Sequence, residues 1–289
     1  MRRAFVLLAL TGIVVGNATA AQAGDGRGSF SVECPYDHTL NDDPIVYPNQ
    51  PGVSHSHDFF GNVSTTASST YGSMLASHTS CGYLADTAGY WNPTAYINGV
   101  RVLAIRVSAY YFGAPSGNVS SFPSGLQMIA GNKDATSRAQ NPQVHWSCIK
   151  TDESPLADHP YNCAPYGGRV TARVDFPTCW DGVAVTPGHT AYAVKNACPS
   201  GWVRMPQLSY RIRWDLRDPC AGATPCSADN APDANIALHL SSGSGDTTTS
   251  AGAFYTLHAD FWNTWQQAAF DGLVATCLNT HKVCGRQVG

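Results

Sequence analysis

The segment Ser54-His55-Ser56-His57-Asp58 holds two histidines two residues apart. On an extended chain that spacing puts both imidazoles on one face. There His55 and His57 can bind a divalent metal, copper or zinc, or divide acid and base work between them. Asp58 is available to orient one ring or to add a ligand, and Phe59-Phe60-Gly61 supplies an apolar anchor. The plain alternative is a pair of hydrogen-bonded loop histidines. A second cluster, His258-Ala259-Asp260-Phe261-Trp262, opens a stretch with helical spacing at Phe261, Trp265, Ala268, Ala269, Leu273 and Cys277. That spacing predicts a C-terminal helix with Asp260 as its N-cap. The free amides and dipole of such a helix would stabilise an oxyanion or depress the pKa of His258. Asp181, in Cys179-Trp180-Asp181-Gly182, is a further carboxylate candidate. Glu occurs only as Glu33 and Glu153, so a glycosidase using two carboxylates has to draw on Asp.

These groups need a scaffold, and period-two alternation supplies the strongest signal for one. Over residues 169–176, Val170, Ala172, Val174 and Phe176 share one face and Arg169 and Arg173 the other. Over 208–216, Leu208, Tyr210, Ile212, Trp214 and Leu216 alternate with Arg211 and Arg213. Residues 100–112 form a longer β-branched and aromatic run that includes Tyr110 and Tyr111; 144–149, 190–195 and 235–241 read as further strands. If the polar strand faces adjoin, Arg169, Arg173, Arg211, Arg213, His239 and His145 make a cationic, aromatic surface suited to an acidic polymer. Pairing with Asp175 and Asp215 would instead leave an ordinary solvated face. Many strands with one apolar side must bury it against another sheet. The expected fold is mainly β, a single disulfide-stapled β-sandwich-like domain with a C-terminal helix.

Composition narrows the function. The 289 residues carry a net charge of −3 with 13% charged side chains, and Lys is confined to Lys133, Lys150, Lys195 and Lys282. A nucleic-acid partner is therefore not expected. The shortage of straight-chain helix formers argues against a helical protein, and 10% aromatic residues argue against a disordered one. Arg2 and Arg3, an apolar run over 4–16 and the ending Ala21-Gln22-Ala23 predict a signal peptide over 1–23. That leaves a secreted domain over 24–289 with no membrane anchor. Ten cysteines in an oxidising compartment predict five disulfides. Sequential pairing, which gives short loops, would join Cys34 to Cys81, Cys148 to Cys163, Cys179 to Cys198, Cys220 to Cys226 and Cys277 to Cys284. No nucleophile elbow, Walker loop, dinucleotide fingerprint or metalloprotease helix motif is present.

Seven signatures occur in order: Asp43-Pro-Ile-Val46, His55-Ser-His57, Tyr90-Trp-Asn-Pro93, Tyr110-Tyr111, Phe122-Pro-Ser-Gly125 with Met128-Ile-Ala-Gly131, Phe176-Pro-Thr-Cys-Trp-Asp-Gly182 and His258-Ala-Asp-Phe261. Together they resemble the secreted bacterial and fungal family catalogued as domain of unknown function nineteen-ninety-six, over nearly all of the mature chain. The resemblance implies a shared fold, a site around His55, His57, Asp181 and His258, and extracellular polysaccharide as the partner. The expected function is a secreted polysaccharide-active enzyme. As a lyase it would use His55 or His57 as base, an Arg to neutralise a uronate carboxylate, and Tyr110 or Tyr111 as acid. As a hydrolase it would use Asp58, Asp181 or Asp260. The alternatives are a non-catalytic carbohydrate-binding protein, with Trp91, Trp180 and Trp262 stacking on sugars, and a histidine-based metal-binding protein.

Overall fold

The computed structural model describes residues 26–97, 100–148, 156–161, 163, 169–214, 238–242 and 252–289. The expected signal peptide and the Cys220 to Cys226 pair lie outside these residues, as does nearly all of the loop expected over 242–252. In chain order the elements are β1 (Ser29–Leu40), β2 (His57–Gly61), α1 (Tyr71–Leu75), β3 (Gly89–Pro93), β4 (Ala95–Ile97), β5 (Val100–Val102), β6 (Ala104–Phe112), β7 (Gln127–Gly131), β8 (Val144–Cys148) and β9 (Val170–Asp175). They continue as β10 (Cys179–Trp180), β11 (Thr190–Ala191), β12 (Val203–Arg204), β13 (Gln207–Trp214), β14 (Leu238–Leu240), β15 (Gly252–Ala253), β16 (His258–Trp262), α2 (Gln267–Leu273) and β17 (Val283–Arg286).

The main strands follow the order β7-β16-β3-β2-β1-β6-β13-β9-β8. They form two layers because β1 serves both. Its first half, through Pro35, pairs with β6, and its second half, from Tyr36, pairs with β2 across a register shift between Tyr36 and His38. A strand that changes sheets in this way turns one ribbon into a sandwich. Inward side chains of β1, β6, β9 and β13, among them Phe30, Val107, Ala172 and Ile212, join those of β2, β3, β7 and β16, among them Phe60, Tyr90, Met128 and Phe261, in one core. Two smaller sheets flank it, β11-β10-β12 and β15-β14-β4-β5.

The second layer also buries part of its outer face. Phe59, Trp91, Trp262 and Met74 of α1 form a separate apolar cluster there, with Leu40, Ile45 and Tyr71 against it. His57 and Phe59 alternate with Asp58 and Phe60 along β2, so His57 emerges on this outer side. Disulfides join Cys34 to Cys81, Cys148 to Cys163, Cys179 to Cys198 and Cys277 to Cys284, which is the sequential pairing. They suit an extracellular or secreted protein. No helix among the described residues is long and apolar enough to cross a membrane.

Two expectations need correction. Residues 258–262 form a strand, and the C-terminal helix starts at Gln267. Asp260 therefore caps nothing; Gln266 occupies the N-cap without a side-chain bond. The stretch over 190–195 contributes only Thr190–Ala191, because Lys195 and Asn196 take positive φ in a turn closed by Val194 and Ala197.

Candidate metal centre

The H-x-H segment enters β2 in extended form, and the residue between its histidines anchors it. The Ser56 amide donates to Ser241 Oγ at 3.0 Å, Ser56 Oγ meets Thr94 Oγ1 at 2.9 Å, and the Thr94 amide donates to Ser56 O at 2.9 Å. With Ser56 held on one side, His55 and His57 both project to the other, their ring centroids 4.2 Å apart. His258 arrives from β16, whose neighbour β7 places Gly131 opposite it. Gly131 has φ +92°, and a Cβ there would lie 2.4 Å from Leu257 O and 2.8 Å from His258 Cα. Only glycine lets the two strands approach this closely. Asn141 Nδ2 donates to Tyr255 O (2.9 Å) and Leu257 O (2.7 Å), fixing the turn that feeds the strand.

The three imidazoles meet tip to tip. His258 Nε2 lies 3.2 Å from His55 Nε2 and 3.4 Å from His57 Nε2. The other nitrogen of His57, Nδ1, faces Asp42 O at 2.9 Å, and Nδ1 of His258 faces Thr256 O at 3.2 Å. A carbonyl only accepts, so each Nδ1 must carry the proton. That leaves two Nε2 lone pairs aimed at the same point. Burial, reinforced by His258, pushes the pKa of His57 down to about 3; burial and the nearby His55 do the same to His258. Burial thus favours neutral rings, and the two facing lone pairs are a place that either a cation or an Nε2–H of His55 can bridge. Two nitrogens about 2.05 Å from a tetrahedral zinc ion stand about 3.3 Å apart, which matches the observed pair of separations.

Carboxylates complete the cluster. Asp260, two residues along β16, has Oδ2 4.0 Å from His258 Nε2, and both of its oxygens are buried without a hydrogen-bond partner. Burial, with Asp43 close by, holds its pKa well above the usual range. Asp43 accepts the amides of Ile45 (2.9 Å) and Val46 (3.0 Å) on Oδ1, and ligand atoms of Asp43, His57 and Asp260 lie within 4.8 Å of one another. A cavity of about 330 Å³ opens onto Asp43, His55, His258 and Asp260, with Lys133 and Ser241 also in its wall. The donor set of three imidazoles and carboxylate, with backbone carbonyls orienting two rings, fits a borderline divalent ion such as zinc or copper.

The remaining candidates lie elsewhere. Asp58 points to the opposite side of β2, where Oδ1 accepts from Thr39 (2.7 Å), Thr94 (3.1 Å) and Arg101 (2.8 Å); the orienting role belongs to Asp42 O. Asp181 directly follows β10 and binds His189 at 2.6 Å. Trp180, half-buried beside it, donates to Ala184 O. Trp91 and Tyr111 are fully buried, Tyr111 inside the sandwich core. Tyr110 is on the outer face of the first layer under Arg211, with Arg213 one position along. His239 pairs with Tyr96 and Ala253 in the β14 sheet, two residues from Ser241. Sequence reasoning missed Asp43 as a site residue, although its signature, Asp43-Pro-Ile-Val46, was visible. Nothing local marks Asp42 O or Lys133.

One family model matches, described as a domain of unknown function (DUF1996), over residues 43–265. That span contains the three histidines and both carboxylates. Comparison with curated proteins returned no match, and neither did comparison with solved structures.

Proposed function

The chain belongs to the DUF1996 family, whose description assigns no activity, and we propose from its pocket that it is a metal-dependent hydrolase of extracellular polysaccharide. The observation that carries this reading is the convergence of His55, His57 and His258 Nε2 at 3.2 and 3.4 Å, with two of the rings oriented by backbone carbonyls. A zinc-like ion bound there supplies a Lewis acid that activates water near neutral pH. Asp260, whose carboxyl burial holds well above the usual range and whose oxygens have no hydrogen-bond partner, would hold a proton at the cavity wall for the leaving sugar oxygen. Asp43 shares the pocket wall with it and helps to hold the proton. Tyr110 and Tyr111, the acids expected of a lyase, do not line the cavity, which weighs toward hydrolysis, although Tyr47 does line it. A purely binding role for stacked tryptophans has less support, since Trp91 is fully buried and Trp262 is 7% exposed. Export is the natural setting for a disulfide-held protein acting on a cell-wall or extracellular glycan.

The test pairs metal content with product analysis. Protein prepared without a histidine tag is expected to hold about one equivalent of zinc or copper and to release reducing ends from a polysaccharide panel, without the absorbance of unsaturated ends. Chelation should abolish release and metal restoration should recover it. His258→Ala should lose both metal and activity. Unsaturated products would overturn the hydrolytic assignment, and a protein that remains metal-free after loading and dialysis would overturn the centre itself.

A further inference from the structure

On the side of the sandwich away from the cavity, the outward positions of β6, β13, β9 and β8 line up in rows. Arg106 of β6 stands opposite Arg213 of β13; Arg211 of β13 stands opposite Arg173 of β9, which is opposite His145 of β8. Strands about 4.8 Å apart, with same-face residues about 6.8 Å apart along each strand, set the four arginines in a lattice of cations, with His145 at its edge held below the usual imidazole range by burial and Arg173. Glu33 serves two of the local arginines at once, Arg106 at 2.8 Å and Arg286 at 2.9 Å, and Asp175 pairs with Arg173 at 2.8 Å. Burial first, and then the adjoining Arg106, hold Arg213 below the usual guanidinium range, with Glu33 opposing the shift.

Aromatic rings lie beneath two guanidinium groups of this face. Arg211 lies 4.1 Å from the centroid of Tyr110 and Arg27 lies 4.7 Å from that of Phe112. The two rings stack on each other with centroids 6.2 Å apart and planes within 10°. A guanidinium held close to a ring keeps its charge at the surface, where its forked N–H groups suit a planar carboxylate or a sulfate. The face is a sheet rather than a cleft, so it accommodates an extended chain.

We propose that this face binds an acidic polysaccharide, an extended chain carrying a carboxylate or sulfate on successive sugar units. It holds such a polymer at a distance from the cavity and shares no residue with it, so either assignment can fail without the other. A nucleic-acid duplex, the other common polyanion, is an arm of the test.

The experiment measures retention of the full-length, metal-loaded protein on immobilised polygalacturonate, dextran sulfate, neutral dextran and duplex DNA. Retention is expected on one or both acidic polysaccharides, with elution by about 0.3 M salt as the charges are screened, and none on dextran. The double variant Arg211→Gln, Arg213→Gln is expected to lose at least about tenfold in affinity while keeping its metal stoichiometry. Should that pair fail to fold, the half-exposed Arg173→Gln carries the same expectation at a smaller, several-fold loss. Undiminished binding by the folded variants, equal retention on neutral dextran, or tighter binding to DNA would each overturn the proposal. The split between polygalacturonate and dextran sulfate identifies the anion.

Discussion

His57 and His258 illustrate how a single proton assignment decides what a cluster can do. Because each Nδ1 donates to a carbonyl, each Nε2 is left as a base, and a third imidazole closes the triangle. A different buried group offers a pH test of the fold. Asp86 accepts hydrogen bonds from Tyr90 OH (2.8 Å) and from the Ala88 amide (3.2 Å), yet burial still raises its pKa to about 8. An unfolded aspartate titrates near 3.9. Between those values the folded state binds one more proton than the unfolded state, so this group makes stability fall as pH rises from about 4 to about 8, by up to about 1.4 kcal/mol per pH unit. Asp86→Asn should remove that contribution. Urea unfolding at pH 5 and pH 8 is expected to show a smaller pH dependence in the variant; an unchanged difference would refute the assignment.

At the scale of elements, the site depends on the β7 to β16 pairing. Gly131→Ala is expected to cost about 2–4 kcal/mol, from strain at positive φ plus collision with the β16 backbone, and to weaken metal binding by displacing His258. Gly188→Ala is the control: it has φ +95° with nothing within 4 Å of the added Cβ, so it should show the strain without the loss of metal. Thermal unfolding and zinc titration of the two variants separate these contributions. The strands were legible in sequence where alternation ran long, as over β9 and β13, and so was the common face of the H-x-H pair. β16 was not. His258, Asp260 and Trp262 do alternate with Ala259 and Phe261, but five residues cannot separate a period of 2 from one of 3.6, and the helical residues just downstream imposed their own period. Asp260 then looked like a cap, when its unpartnered carboxylate belongs to the cluster. Asp181 fell out of the site because β10, which it follows, pairs only with β11 and β12, a tertiary fact no local pattern carries.

For the whole molecule, two constraints hold the scaffold. One is the crossover of β1 between layers; the other is the set of disulfides, of which Cys34–Cys81 closes the longest described loop, 47 residues. On the chain-entropy account that link alone is worth about 4 kcal/mol. Reduction should therefore lower the unfolding temperature sharply, and a reduced protein as stable as the oxidised one would contradict this view of the fold. Metal acts on the same balance, since an ion that binds only the folded chain stabilises it by mass action. The central claim is nevertheless about coordination, and X-ray absorption spectroscopy of the zinc- or copper-loaded, tag-free protein reads that directly. The account predicts a first shell of three imidazole nitrogens near 2.0–2.1 Å with oxygen completing it, reduced by one imidazole in His55→Ala; a shell without imidazole scattering would contradict it.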